Sequence, residues 1–254
     1  MAGETIRSEA ICLAVTPWSR TSHVVTWLTP SGRVGTVVKG AVRPKSAFLG
    51  QYDLNYTCEI VYYVRAKGDL HALRECTPLG RRDALRDDYA SLALAGYFRF
   101  LTDRFAPQGP DCADWYTALS AALDGLVGDC ADSQSGRDQR GRDIPVACPE
   151  GARLVPLLLK AELRYLHLLG LDPEIEAESG AFALRGERKI PISPEVAACI
   201  RELSTSSLRP SAFNLQPALA LDAARVLGVY YDFHVDGVSD VRRVVLRLIQ
   251  NKTR

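Results

Sequence analysis

The sequence predicts an α+β protein in which a five-stranded β-barrel is followed by an all-helical domain. Up to Gly80 the chain consists of short segments rich in Val, Ile, Thr and Tyr, which turn residues separate from one another. After Gly80 the apolar residues recur with helical spacing. With 254 residues the chain is long enough for two domains, since a domain typically has about 100–150 residues. We therefore expect a barrel domain at 1–80 and a helical domain at 81–254.

The barrel prediction depends on five short strands and on the alternation within the fourth of them. The predicted strands are Ile6–Val15, Ser22–Thr29, Arg33–Lys39, Asn55–Val64 and Leu70–Cys76. In the fourth, one face carries apolar residues, namely Tyr56, Cys58, Ile60, Tyr62 and Val64. This pattern fits an OB-fold, a five-stranded barrel that binds oligonucleotides, and it fits an SH3-like barrel equally well.

Six helices are predicted in the second domain. The first begins at a cap provided by Asp87 or Asp88 and ends at Phe105. The others are Trp115–Val127, Arg153–Leu169, 194–204, 212–230 and Val241–Gln250. The polar stretch Gly128–Gly151 is typical of a mobile loop, and an irregular insert is expected around 171–192.

Composition and motifs argue against several classes of protein. The sequence has neither a membrane-spanning apolar run nor a secretion signal, and its seven scattered cysteines favour reduced thiols. We therefore expect a cytoplasmic protein without a membrane partner. Phosphate-binding Gly-Lys-Ser or Gly-Lys-Thr loops, paired metal-binding histidines and Gly-x-Ser-x-Gly are all absent from the sequence. This predicts a protein that is not an enzyme and that has no catalytic residues, no metal and no cofactor.

The charge pattern favours a polyanionic partner. The run Ala10–Tyr52 contains no Asp or Glu, although the whole chain has a formal net charge of only +1. A patch of one sign on a nearly neutral protein attracts phosphate backbones. The predicted DNA-binding residues are the cations of this run: Arg20, Arg33, Lys39, Arg43 and Lys45. Ordinary surface charge that serves solubility remains the alternative.

Strand alternation places Arg33 and Lys39 on one face, and the loop that follows adds Arg43 and Lys45. Gly40 can let a phosphate approach the backbone closely. Contacts of this kind predict weak sequence preference and strong salt dependence. Three aromatic residues of the run, Trp18, Trp27 and Phe48, can stack on unpaired bases. For Trp27, core packing is the stronger expectation.

Two cationic stripes occur in the helical half. One combines Arg153, Lys160, Arg164 and His167 in a narrow helical sector with leucines beside it. The other is the tail after Asp240, with Arg242, Arg243, Arg247, Lys252 and Arg254. Either stripe can be a solvated helix face. The first also offers cations and an apolar notch to an acidic peptide, so Arg153, Lys160 and Arg164 are predicted to bind a partner.

The run TSHVVTWLTPSGRVGTVVKGAVRPKS resembles the N-terminal signature of the RecO family of bacterial recombination mediators. Its Lys-Gly-Ala-x-Arg-x-x-Ser element is Lys39–Ser46 here, whereas the turn Thr29–Gly32 is one residue shorter than the family spacing. Weaker matches follow in the same order at Leu85–Asp88, Leu163–Gly170 and Tyr230–His234. Many members carry a four-cysteine zinc site after the Leu-Leu-Gly helix, but 171–195 contains neither Cys nor His.

The resemblance implies an OB-fold with a helical domain and a role in DNA repair and recombination. It implies binding to single- and double-stranded DNA, cooperation with RecR, and contact with the acidic tail of single-stranded-DNA-binding protein. It also implies loading of RecA and annealing of complementary strands. A general OB-fold nucleic-acid-binding adaptor without a recombination role is the alternative.

Overall fold

A computed structural model describes residues 4–65, 68–109, 112–127, 135–137, 143–145, 150–175, 181–183, 189–205 and 215–252. The chain forms two compact units. The first unit consists of Met1–Ala84 and Arg99–Leu123, and the second consists of Leu85–Phe98 and Asp124–Arg254. The unit that contains the barrel therefore also includes helical residues from 99–123, beyond the boundary expected near residue 80.

The first unit contains a closed five-stranded barrel. Its strands are β1 (Thr5–Ser19), β2 (Ser22–Thr29), β3 (Gly32–Val38), β4 (Thr57–Tyr63) and β5 (Leu70–Gly80). Their order around the barrel is β1-β2-β3-β5-β4, and the pair β3–β5 is parallel whereas the other pairs are antiparallel. This is the OB-fold order, which confirms the predicted fold and decides against an SH3-like barrel.

The strand β1 closes the barrel because it pairs on both sides. Its first half pairs with β4 and its second half with β2, and both ladders include Ile11. The register with β2 shifts between Cys12 and Ala14 and again between Pro17 and Ser19. Such bulges bend a strand and increase its twist, which allows one long strand to belong to both sides of a small barrel.

The barrel interior contains the apolar face that the alternation of the fourth strand predicts. Tyr56, Cys58, Ile60 and Tyr62 all belong to this core. Trp27 is fully buried, and its Nε1–H donates a hydrogen bond of 2.8 Å to Oγ1 of Thr36. Trp27 is therefore a core residue, as expected for a tryptophan inside a strand whose indole N–H has a partner.

The helices follow the barrel in the predicted order. A short 3-10 helix at Asp83–Arg86 precedes α1 (Tyr89–Phe105), α2 (Ala113–Val127), α3 (Glu150–Leu168), α4 (Pro194–Thr205), α5 (Pro217–His234) and α6 (Ser239–Lys252). Two small sheets pair β6 (Ser135–Arg137) with β7 (Asp143–Pro145) and β8 (Ala181–Ala183) with β9 (Lys189–Pro191). Most of the loop predicted at 128–151, and 176–180 and 184–188 of the insert, lie outside the described residues.

Asp88 caps α1, one of the two positions predicted for this role. Its carboxylate accepts hydrogen bonds from the backbone N–H of Ala90 and Ser91 and lies 2.9 Å from Nζ of Lys252 on α6. Burial acts to raise the pKa of Asp88, but hydrogen bonds from Ser91, Lys252 and the backbone outweigh it and lower the pKa to about 2. The cap therefore also connects α1 to the last helix of its unit.

The second unit contains a buried ion pair. Nε and Nη2 of Arg242 donate to the two carboxylate oxygens of Glu162 at 2.7 and 2.9 Å, and neither residue is exposed by more than 4%. The hydroxyl of Tyr97 donates to the same carboxylate, and that of Tyr231 donates to the Glu162 carbonyl oxygen. A solvated face was one expectation for the cationic tail, and for Arg242 that expectation is wrong because a buried carboxylate holds its guanidinium.

Candidate nucleic-acid interface

A groove of about 440 Å³ lies where the β1–β2 hairpin approaches the segment that follows β3. It is lined by Trp18, Ser19, Thr21, Ser22, Val37, Lys39, Gly40 and Arg43. The lining thus combines one large aromatic ring, two cations and three hydroxyl groups, and it includes no carboxylate. Such a surface can bind a phosphate chain and can accept an apolar ring beside it.

Hydrogen bonds donated by backbone N–H groups connect the two sides of the groove. The N–H of Gly40 donates to Oγ of Ser22 at 3.3 Å, and the N–H of Val42 donates to the Thr21 carbonyl oxygen at 3.4 Å. Between them, Ala41 is buried in the barrel core with 3% exposure. The loop after β3 is therefore anchored on the hairpin, and its cations start from a fixed backbone.

Gly40 has a φ of 66°, a left-handed conformation that favours glycine. The turn that it begins is closed by the N–H of Arg43, which donates to the Gly40 carbonyl oxygen at 3.1 Å. A Cβ at Gly40 would lie 3.3 Å from Cδ of Arg43, so the arginine side chain folds back over this glycine. Gly40 thus leaves open the space that the Arg43 side chain occupies, in addition to the close phosphate approach expected from the sequence.

The predicted DNA-binding residues divide into three groups. Lys39 and Arg43 are exposed and line the groove. Arg20 and Lys45 are also exposed, on the neighbouring hairpin turn and further along the loop. Within the described part of the chain, none of these four cations forms an ion pair with a carboxylate. Their charge therefore remains available to an external anion.

Arg33 has a different environment. Its Nη1 donates to the Asp103 carbonyl oxygen at 2.7 Å, and its Nη2 forms an ion pair with the carboxylate of Asp103 on α1. The Arg33 side chain is only 15% exposed, and it does not line the groove. A phosphate at Arg33 would have to displace Asp103, so the predicted common face of Arg33 and Lys39 does not bring them into one site.

The three aromatic residues of the acid-free run also separate. Trp18 is 64% exposed at the groove, whereas Trp27 and the partly buried Phe48 pack in or against the barrel core. The hydroxyl residues at 19, 21 and 22 were not predicted as part of a site. The signal available in the sequence was the short polar turn Ser19–Ser22 directly after Trp18, which places the end of the hairpin at this ring.

On α3 the predicted partner-binding stripe is only partly accessible. Lys160 is 3% exposed, and burial lowers its pKa below the ordinary value for lysine. Nη2 of Arg153, which is half-buried, donates to the Leu126 carbonyl oxygen at 2.9 Å. Arg164 is also half-buried. A side chain as enclosed as Lys160 presents little to an external ligand, so the surface available for docking centres on Arg164.

Among the residues with described positions, no group of three or more His, Cys, Asp or Glu side chains is arranged to hold a metal ion. No described helix combines the length and the apolar character that crossing a bilayer requires.

Comparisons with known proteins agree with the barrel. The sequence model of the family described as "Recombination protein O N terminal" matches residues 1–82. A protein of Roseiflexus sp. named DNA repair protein RecO is 28% identical over 126 residues, which are 50% of this chain and 44% of that relative. A protein of the same name from Geobacter metallireducens is 31% identical over 124 residues, 48% of this chain and 50% of the relative. The matched segment thus spans about half the length of these curated relatives. The family match covers the OB-fold barrel from end to end, so this part of the chain is similar to the N-terminal domain of the RecO family.

Proposed function

We propose that this protein is a non-catalytic recombination mediator in DNA repair that binds single- and double-stranded DNA through the barrel groove. The observation that carries the proposal is the groove itself, where Lys39 and Arg43 face solvent without a carboxylate among the lining residues. The relatives' printed name, DNA repair protein, supports the biological context. The OB-fold supports the ligand class, because barrels of this type bind oligonucleotides beside the first hairpin and the second and third strands.

Binding in the groove is electrostatic in its first step. Lys39 and Arg43 each replace a condensed counter-ion on the DNA backbone, and the release of these ions favours binding. Because phosphate contacts carry no sequence information, the groove binds many sequences with similar affinity. Arg20 and Lys45 extend the positive surface on both sides, whereas Arg33 contributes less because Asp103 neutralises it.

The test is the salt dependence of binding in a variant with Lys39→Ala and Arg43→Ala. Loss of two phosphate contacts should lower the log–log salt slope by roughly 1.4 on single-stranded DNA and roughly 1.8 on duplex DNA. The matched control replaces Arg225 and Arg243, two exposed arginines of the second unit that are paired with nearby aspartates. It removes the same charge and should leave the slope unchanged. An unchanged slope in the groove variant would refute the proposed site.

The partners form the second part of the proposal. Cooperation with RecR, contact with the acidic tail of single-stranded-DNA-binding protein, RecA loading and strand annealing are proposed from the similarity to the RecO family. For the acidic tail we keep the surface of α3 as the docking site, with Arg164 as the residue to test because reversing the buried Lys160 would disturb the core. Arg164→Glu should abolish binding of the tail peptide and leave DNA binding at the barrel intact. Peptide binding at the wild-type level would place the docking site elsewhere.

A general nucleic-acid-binding adaptor is the second candidate, because phosphate contacts at Lys39 and Arg43 do not distinguish DNA from RNA. Competition between DNA and RNA strands of equal length and sequence separates the two functions. A mediator of recombination should bind the DNA strand at least as tightly and should promote annealing of complementary DNA. Preference for RNA without annealing activity would favour the adaptor.

A further inference from the structure

We propose that Trp18 stacks on an unpaired nucleobase and thereby makes the groove bind single strands more tightly than duplexes of the same charge. The inference rests on the proposed function, since it assumes that a nucleic acid occupies the groove. It goes beyond that function by assigning selectivity between single and double strands to one side chain.

Trp18 is far more exposed than the other two tryptophans. The protein has three tryptophans, of which Trp27 is fully buried and Trp115 is 4% exposed, whereas Trp18 is 64% exposed. Leaving a large apolar ring in water is unfavourable, and a ligand that covers the ring recovers that free energy. The ring therefore favours a ligand with a flat apolar face, and a nucleobase has one.

The backbone determines where this ring points. Pro17 is opposite His23 and Ser19 is opposite Ser22, so the register shifts at Trp18 and no residue of β2 is paired with it. A bulge of this kind re-aims the side chain of the extra residue and is held by the ladder on both sides. In the turn that follows, the N–H of Thr21 donates to Oγ of Ser19 at 3.4 Å. Trp18 is thus displayed by a defined feature of the strand.

The rest of the groove supplies what a stacked nucleotide needs. Lys39 and Arg43 line the same groove and can bind the phosphates that flank the stacked base. Stacking is possible with any base, because every base has a π-face, so the contact does not impose sequence preference. In a duplex both faces of each base are already covered by neighbouring pairs, and stacking on Trp18 would first require unstacking them. The ring therefore favours single strands.

The experiment compares wild type with Trp18→Ala on three ligands of equal length: an oligothymidylate, a base-free abasic strand and a duplex. Loss of stacking on one base should weaken the affinity of Trp18→Ala for the oligothymidylate by about fivefold to about a hundredfold. On the abasic strand and the duplex the loss should stay below about twofold, since phosphate contacts are unchanged. The salt slope should be the same in both proteins. Trp18→Phe keeps an aromatic face and should retain most of the affinity.

Fluorescence gives an independent readout, because Trp18 is the exposed tryptophan. The oligothymidylate should quench the fluorescence of the wild type but not that of Trp18→Phe, in which Trp27 and Trp115 remain as reporters of the folded unit. An equal loss on all three ligands, or no loss on any, would overturn the stacking role. If the Trp18 test fails but the variant with Lys39→Ala and Arg43→Ala still lowers the salt slope, the stacking role is wrong and the proposed function stands. If that variant also has no effect, the groove is not the binding site and both proposals fail.

Discussion

Replacing Glu162 by Gln is expected to destabilise the helical unit by about 3–5 kcal/mol, because it leaves a buried arginine without its counter-ion. Glu162 is fully buried and Arg242 is 4% exposed, so water cannot replace the lost partner. The guanidinium has one further acceptor, the Ala224 carbonyl oxygen at 2.8 Å. That single neutral acceptor does not compensate for a full charge.

The magnitude follows from the contacts that change. Arg242 makes two charge-assisted hydrogen bonds to Glu162, and each bond of this type contributes about 1.5–3 kcal/mol. In glutamine an NH2 group replaces one carboxylate oxygen. Its N–H donors face the N–H donors of the Arg242 guanidinium, so no hydrogen bond forms there. The remaining oxygen can still accept from Tyr97, whose hydroxyl lies 2.8 Å from Glu162 Oε1. The loss therefore comprises one charge-assisted bond together with the attraction between the buried charges.

Urea unfolding followed by far-ultraviolet circular dichroism measures this loss, because most helices belong to the second unit. Tryptophan fluorescence serves as a second probe, since Trp18, Trp27 and Trp115 all belong to the first unit. The matched control is Asp240→Asn, in which a 93% exposed carboxylate loses its ion pair with Arg243. That exposed pair should cost less than about 1 kcal/mol.

Replacing both partners, Glu162→Leu with Arg242→Met, removes the buried charges together. Because apolar side chains of similar volume often replace a buried ion pair without loss, the double variant should recover part of the stability lost in Glu162→Gln, less about 1–3 kcal/mol for the Tyr97 hydroxyl that loses its acceptor. A cost below about 1 kcal/mol for Glu162→Gln would refute the reasoning, since a buried uncompensated charge cannot be that cheap. A double variant as unstable as the single one would show that packing, rather than charge pairing, is what Glu162 provides.

Three further predictions concern glycines and the helix cap. Gly228→Ala should destabilise the helical unit in thermal melts, although alanine normally favours a helix, because its Cβ would overlap Nη1 of the Arg242 side chain that Glu162 fixes. Asp88→Ala should cost about 1 kcal/mol at neutral pH in urea titrations. Its folded pKa of about 2 lies below the unfolded value, so the difference from wild type should shrink as the pH falls from about 5 towards 2. Gly40→Val should weaken oligonucleotide binding, because valine strains a backbone with a φ of 66° and displaces Arg43; unchanged affinity would contradict the role assigned to this turn.

Much of the fold could be predicted because its signals are local. The alternation from Tyr56 to Tyr62 reports one face of a single strand, and that face is buried in the barrel. Helix limits follow from caps and breakers, so Asp88 was among the two expected caps for α1. The bulge at Trp18 was not predicted, because a register shift depends on the partner strand and leaves little mark on the sequence of its own strand.

The candidate site was predicted in part, and the misses share one physical cause. Strand alternation correctly puts Arg33 on an outward face, but Asp103, 70 residues later, covers it and neutralises its charge. Helical spacing puts Lys160 on one stripe with Arg153 and Arg164, yet burial depends on which elements pack there. Local patterns show which side of an element a charge occupies, and only tertiary contacts decide whether solvent reaches it.

The charge distribution divides the free energy of the proposed DNA binding between two kinds of contact. The chain has a formal net charge of only +1, and salt screens charges beyond about 8 Å at physiological ionic strength, so distant residues add little attraction for DNA. Affinity must then come from the few cations near the groove, which makes binding weak at high salt. Stacking on Trp18 does not release counter-ions, so its contribution persists when salt weakens the phosphate contacts. The ratio of the oligothymidylate affinities of wild type and Trp18→Ala should therefore be the same at low and at high salt, and a ratio that falls as the salt concentration rises would show that the contribution of Trp18 is electrostatic.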